Sequence, residues 1–337
     1  MYRILLIFLL TFAVLSAHSQ SARDYFTRGY AAAKLGKYQE AIDLYTQSIA
    51  LLPKNFYALY NRGIAEGHLK DYRTAIIDYT KAIAINPRSR RAYFERGVAQ
   101  AHTGAHKDAI DDYTKAMTLG DSSYKVFGYR GIAKQFTGDY RAALIDYNHA
   151  IALQADDAYL YNYRGFAKDK TSDYKGAIID YDRAIELNAL NDTFYVNRGF
   201  TKNTLQAYAA AIIDFDQAAK LNPANVYIYI NRGYAKMKLD KNTEALHDYD
   251  HAVAIAPTEP EAYNNRSNVR QKMGDIAGAL ADLDKAIELK ATMGRAYLNR
   301  GIIKATQGNK EDGCNDLAEA TKLHCAEAAE YQKKYCK

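Results

Sequence analysis

Tryptophan is absent from this chain of 337 residues, proline occurs five times and cysteine three times. The scarce residues are informative in their placement. Cys314, Cys325 and Cys336 all fall near the C-terminus, so no cysteine stands near the start to be acylated as in a lipoprotein. Four of the prolines (Pro53, Pro87, Pro223, Pro257) share one register of a repeating pattern, and Pro260 opens a repeat. Linkers and low-complexity segments are missing, so nothing in the composition divides the body of the chain. Neither sign of charge dominates: 45 Lys+Arg stand against 39 Asp+Glu, a net charge of +6. The excess is spread evenly and forms no clustered stripe, which argues against a nucleic-acid partner. The apolar run Ile4–Leu15 is too short to span a bilayer comfortably. It follows a basic residue, Arg3, and precedes small residues at Ala17 and Ser19, the layout of a secretory signal peptide cut before Gln20. A leader over residues 1–19 and an exported mature chain, periplasmic or secreted and with no membrane segment, are therefore expected.

What is abundant is periodic. Arginine recurs at positions 28, 62, 96, 130, 164, 198, 232, 266 and 300, every 34 residues, and glycine follows it in eight of the nine cases, Ser267 being the exception. Such a period marks one supersecondary unit copied in tandem. With the arginine as position 7, copies begin at residues 22, 56, 90, 124, 158, 192, 226, 260 and 294. Apolar and small residues at spacings of three, four and seven predict two amphipathic helices per copy. Gly, Asp, Ser and Asn near positions 15 and 16 turn the chain and cap the second helix. Proline at position 32 ends that helix.

Glycine at position 8 and alanine at positions 20 and 27 predict close helix approach. Aromatics fill the remaining space at position 4 (Tyr25, Phe127, Tyr161 and five others) and at position 24 (Tyr45 through Tyr249, with Phe215). Most of the 30 tyrosines are therefore architectural, each burying a ring while its hydroxyl reaches water or a carbonyl. Position 23 is aspartate in eight copies, beginning at Asp78 and including Asp180 and Asp214. A partly buried arginine needs a carboxylate. An Arg–Asp ladder through Arg164, Arg198, Asp180 and Asp214, each arginine taking an aspartate on either side, is expected to set the register of successive helices.

Aromatic-4, Gly-8, Gly-15, Tyr-17, Ala-20, Tyr-24, Ala-27 and Pro-32 over 34 residues resemble the tetratricopeptide repeat, in nine copies spanning 22–327. The chain departs from the pattern at position 7, where leucine is usual, and at position 11, where Lys134, Lys168, Lys202, Lys236 and Lys304 replace an apolar residue. The resemblance implies an all-α, right-handed superhelical solenoid of nine helix-turn-helix repeats forming one domain over 20–337, with a capping helix at 328–336. It also implies a protein–protein scaffold whose ligand groove is lined by positions 2, 5, 6, 9, 12 and 13.

At position 6, Asn61, Asn197, Asn231, Asn265 and Asn299 form a row resembling the asparagine ladder of O-linked N-acetylglucosamine transferases, which holds peptide backbone. Local hydrogen bonding is the plainer role for those amides. Phe166, Phe200 and Tyr234 at position 9 lie between them, so a glycan ligand is a second reading. Positions 5 and 9 are largely apolar, unlike the carboxylate clamp that receives chaperone tails. In the implied stack, position 21 of a second helix lies near position 9 of the next first helix. Those registers hold Cys314 and Cys336, and the ending resembles the Gly-Cys…Lys-Tyr-Cys close of exported bacterial members of the family. A Cys314–Cys336 disulfide is expected, with Cys325 the odd thiol.

His247 and His251 have a zinc-compatible spacing beside Asp248 and Asp250 but lack a third ligand, so no metal site is expected. His68 and His102 share position 13 in the groove. No Ser/His/Asp set, phosphate loop or paired acid stands out from the repeat, so neither an enzyme nor a cofactor is expected.

Overall fold

A computed structural model describes residues 19–336; the expected leader, up to residue 18, lies outside the described residues. The described residues are all-α, with no strand among them, and form two compact units that meet between Ser172 and Asp173. The first holds α1 (19–34), α2 (Tyr38–Leu51), α3 (Phe56–His68), α4 (Tyr72–Ile85), α5 (Arg90–His102), α6 (His106–Thr118), α7 (Tyr124–Phe136), α8 (Tyr140–Leu153) and α9 (Ala158–Lys170). The second holds α10 (Tyr174–Leu187), α11 (Asp192–Thr204), α12 (Tyr208–Leu221), α13 (Val226–Lys238), α14 (Asn242–Ile255), α15 (Pro260–Lys272), α16 (Ile276–Leu289), α17 (Gly294–Thr306), α18 (Lys310–Lys322) and α19 (Ala328–Tyr335). Every helix falls where the 34-residue pattern places it.

The turn inside each hairpin is set by position 15, which adopts a left-handed backbone in all nine copies. Gly36, Gly104, Gly138, Gly274 and Gly308 do so without strain, while Lys70, Ser172, Gln206 and Asp240 do so with a side chain (φ 57–67°). Position 16 then caps the second helix. Asp71, Asp139, Asp173, Asp275 and Asn309 each accept a backbone N–H through the side chain.

Within a unit, consecutive helices pack as antiparallel pairs, and each second helix packs on the next first helix. The alanines at positions 20 and 27 are fully buried in these contacts, Ala75 and Ala82 among them. Glycine at position 8 makes room for a ring rather than for a backbone. A Cβ on Gly63, Gly97 or Gly131 would lie 2.8 Å from the position-24 tyrosine of the same copy. The one copy with a side chain there, Ser267, has Leu283 instead of an aromatic at position 24. In the last copy the helices do meet backbone to backbone: a Cβ on Gly301 would stand 2.9 Å from the Gly313 carbonyl.

Arg96, Arg198, Arg232, Arg266 and Arg300 are each fixed on three sides. Arg232 donates Nε and Nη2 to the two oxygens of Asp248 (3.0 and 2.6 Å) and Nη1 to Asp216 (2.7 Å), and its plane lies over Tyr229. Arg198 repeats this with Asp214 and Asp182. Asp78, Asp112, Asp146, Asp214, Asp248, Asp282 and Asp316 thus each serve the arginine of their own copy, and the partner across the helix interface comes from position 25, not from a second position-23 aspartate as expected. Position 25 changes along the chain. Arg62, Arg96 and Arg130 meet Thr46, Thr80 and Thr114, Arg164 meets Asn148, and Arg198 onward meet Asp182, Asp216, Asp250 and Asp284. Asp180 is buried at its register like the other aspartates.

Position 11 completes the network. Lys134, Lys202, Lys236 and Lys304 reach the same aspartate as their arginine (2.8, 2.7, 2.8 and 2.9 Å), and Arg270 does so in the eighth copy. In copies six to nine two cations therefore face two carboxylates. The third copy, with Gln100 and Thr80, has one of each. The second copy breaks the pattern by placing Glu66 at position 11, 5% exposed, with Oε2 lacking a hydrogen-bond partner. Burial first, and then the charge of Asp78, push its pKa up to about 8 against the pull of Arg62. Proton uptake by Glu66 restores one cation against one anion.

At the C-terminal end α19 packs on α18 and α17, covering Leu298, Leu317 and Ala320 with Ala328 and Tyr331. Cys314 and Cys336 are joined, with Cα atoms 5.6 Å apart, and Cys325 is free.

Three outcomes test this packing. Asp248→Ala leaves Arg232 and Lys236 without their shared anion and should cost about 3 kcal/mol in chemical unfolding. Replacing both cations with leucine in the same variant should recover most of that loss. Glu66 is protonated more readily folded than unfolded, so its contribution is complete below about pH 4.3 and is lost as pH rises towards 8. Unfolding midpoints of wild type and Glu66→Gln should accordingly coincide near pH 4.5 and separate, with the glutamine variant higher, by pH 8.5. The Cys314–Cys336 link closes a separation of 22 residues and contributes about 3 kcal/mol. Its reduction should remove amide-exchange protection from α19 while leaving α12–α16 unchanged.

Candidate functional site

In the second unit the first helices of successive copies (α11, α13, α15, α17) contact one another and form one face. A cavity of about 460 Å³ opens on it. Its lining residues sit at positions 2, 5, 6, 9, 12 and 13, the registers that the repeat resemblance implied. Four of the residues singled out in the sequence come together here: Asn231, Asn265, Phe200 and Tyr234. Phe200 is 52% exposed and Tyr227, which the sequence reading did not single out, is 50% exposed.

The asparagines are less uniform than their row suggests. Asn61 and Asn231 each donate Nδ2 to the carbonyl four residues earlier, Tyr57 and Tyr227 (2.8 Å each). Asn265 accepts from Asn264 at 3.2 Å, and Asn299 donates to Asn264 at 3.0 Å. Local bonding thus uses one group of each amide and leaves the others for a ligand. Asn299 does not line the cavity, and Asn197 is half-buried on α11. Asn61 and Phe166 belong to the first unit, where Lys170 lies over the Phe166 ring at 5.1 Å.

Asn203 was not identified from the sequence because position 12 does not repeat it. Its Nδ2 donates to the Asn231 carbonyl at 3.1 Å. Its Oδ1 is buried beside the cavity without a partner, the side chain being 7% exposed as a residue. An acceptor buried without a partner costs free energy in the folded chain. Glu261 and Arg295, both at position 2, put one charge of each sign at the rim.

The first unit has its own cavities along α3, α5, α7 and α9, of about 200, 470 and 270 Å³, and their walls are aromatic. His68 stacks on Tyr38 and His102 on Tyr72, both at 4.2 Å, and His106 stacks on Phe136 at 4.5 Å. His247 and His251 are exposed, and no group of three metal-ligating side chains occurs among the described residues. Among those residues no helix is long and apolar enough to cross a membrane.

Tetratricopeptide-repeat models match residues 22–55, 56–89, 193–225, 226–259 and 260–293. No curated protein matches the chain. Among solved structures, a tetratricopeptide repeat protein from Parabacteroides merdae is 21% identical with a TM-score of 0.63. That match covers 74% of this chain and all of the other. The C-terminal part of a repeat protein from Cytophaga hutchinsonii is 18% identical with a TM-score of 0.56, covering 71% of this chain and 98% of its own. These likenesses show the shared helical-repeat fold. With its matching copies and its helical hairpins at every 34 residues, the chain belongs to the tetratricopeptide repeat family.

Proposed function

We propose that this protein is an exported, non-enzymatic scaffold that holds an extended peptide segment of a partner protein in the groove of the second unit. Repeats of this family serve protein–protein interaction, and the groove supplies what an extended chain requires. The observation that carries the reading is the pairing of Asn231 and Asn265 on one cavity wall, flanked by the exposed rings of Phe200 and Tyr227. A peptide bond offers one N–H and one carbonyl, which amide side chains answer in pairs. Apolar side chains on alternate residues would lie on the rings. A glycan is the second reading, favoured by those same two rings, since an exposed aromatic face also stacks on sugar. The basic and apolar start of the chain supports export to the periplasm or the medium.

Asn231→Ala with Asn265→Ala should weaken binding of peptides selected on the wild-type protein by about 30-fold, at about 1 kcal/mol for each lost hydrogen bond. Undiminished peptide binding, together with lost glycan-array binding, would favour the second reading. N-terminal sequencing of protein recovered from the envelope or medium should begin at Gln20.

A further inference from the structure

Position 6 carries Thr, Asn or Tyr in eight copies and a carboxylate in one, Glu95. No demand of the repeat explains it, since the neighbouring copies keep the same packing with Asn61 and Tyr129. Glu95 lies on α5 and opens into the cavity of about 200 Å³ in the first unit, whose walls include Gly67, His68, Tyr72, Tyr79 and His102. At about 30 Å³ per water this space equals some six or seven waters. It is large enough for one long side chain.

Glu95 makes no ion pair or hydrogen bond with the described residues. The cation acting on it through space is Lys125 of α7, which is exposed. Desolvation raises the pKa of the Glu95 carboxyl, with Lys125 opposing the shift. Its field in turn helps to raise the hydroxyl pKa values of Tyr60, Tyr79 and Tyr113, drawn from three different helices. The carboxylate therefore lines an aromatic-walled cavity without an ion pair, Lys125 acting on it only through space. A guest cation would answer it: the charge pairs with Glu95, the ring faces add cation–π attraction, and an apolar stem lies against the walls. A neutral side chain provides only the stem contact, and an anionic one is repelled.

We propose that this cavity receives the side chain of a lysine or arginine from a bound polypeptide, its charged head on the Glu95 carboxylate and its stem beside His68, Tyr72 and His102. The proposal rests on the scaffold reading only in taking the guest from a polypeptide. The cavity lies wholly in the first unit and needs none of the residues of the second groove.

The test uses the full chain with Nα-acetyl-lysine methylamide and its norleucine counterpart, titrated by ligand-observed NMR. The lysine compound should bind at least about tenfold more tightly, a difference of about 1.4 kcal/mol. Glu95→Gln should erase that difference. Gly67→Leu should block both compounds while preserving the fold, because a Cβ at Gly67 meets nothing within 4 Å. Equal binding of the two compounds, no binding of the lysine compound, or a preference that survives Glu95→Gln would overturn the proposal. None of those results would alter the outcome expected for the Asn231 and Asn265 variant, so either reading can fail without the other.

Discussion

An aspartate sealed between two helices has to be neutralised where it stands, and most of this molecule's departures from its repeat pattern answer that requirement. The eight position-23 aspartates are all buried. A carboxylate moved from water to such a site costs several kcal/mol unless hydrogen-bonded cations replace its solvent. The arginine that displaces the usual leucine provides a bidentate fork from the same copy. Its remaining N–H group reaches the preceding copy, so one guanidinium ties three helices.

Charge balance holds where positions 11 and 25 are both charged; the fourth copy instead has Lys134 on Asp146 with the neutral Thr114 at position 25. A lysine at position 11 adds a second cation to the cluster, and an aspartate at position 25 adds a second anion. Copies six to nine have both, and the third has neither. In the second copy Glu66 stands where others have lysine, and burial beside Asp78 favours its protonated form. Such clusters give direction more than energy. A fork that accepts one geometry holds each hairpin at one register against the next.

With register held this way, side chains at like positions fall into rows, and the rows differ between the units. The second unit presents amides and exposed rings along its groove. The first presents stacked imidazoles and tyrosines around Glu95. The proposed occupants follow this difference, peptide backbone for the second unit and a basic side chain for the first.

Read along the chain, much of this was legible before any coordinates. The 34-residue spacing of arginine, the small residues at positions 8, 20 and 27, and the breakers near positions 15 and 32 determine helices, turns and their order, because each acts on backbone within a few residues of itself. The groove registers and the pairing of Cys314 with Cys336 followed from the family resemblance. The partner of each arginine across the interface was decided only by the tertiary structure, since position 25 lies 16 residues earlier on another helix. The same holds for glycine 8, whose space is filled by a ring from the opposite helix, for Asn203, and for Glu95. Their roles depend on what burial leaves unpaired, and burial is a property of several helices at once that no single stretch of sequence displays.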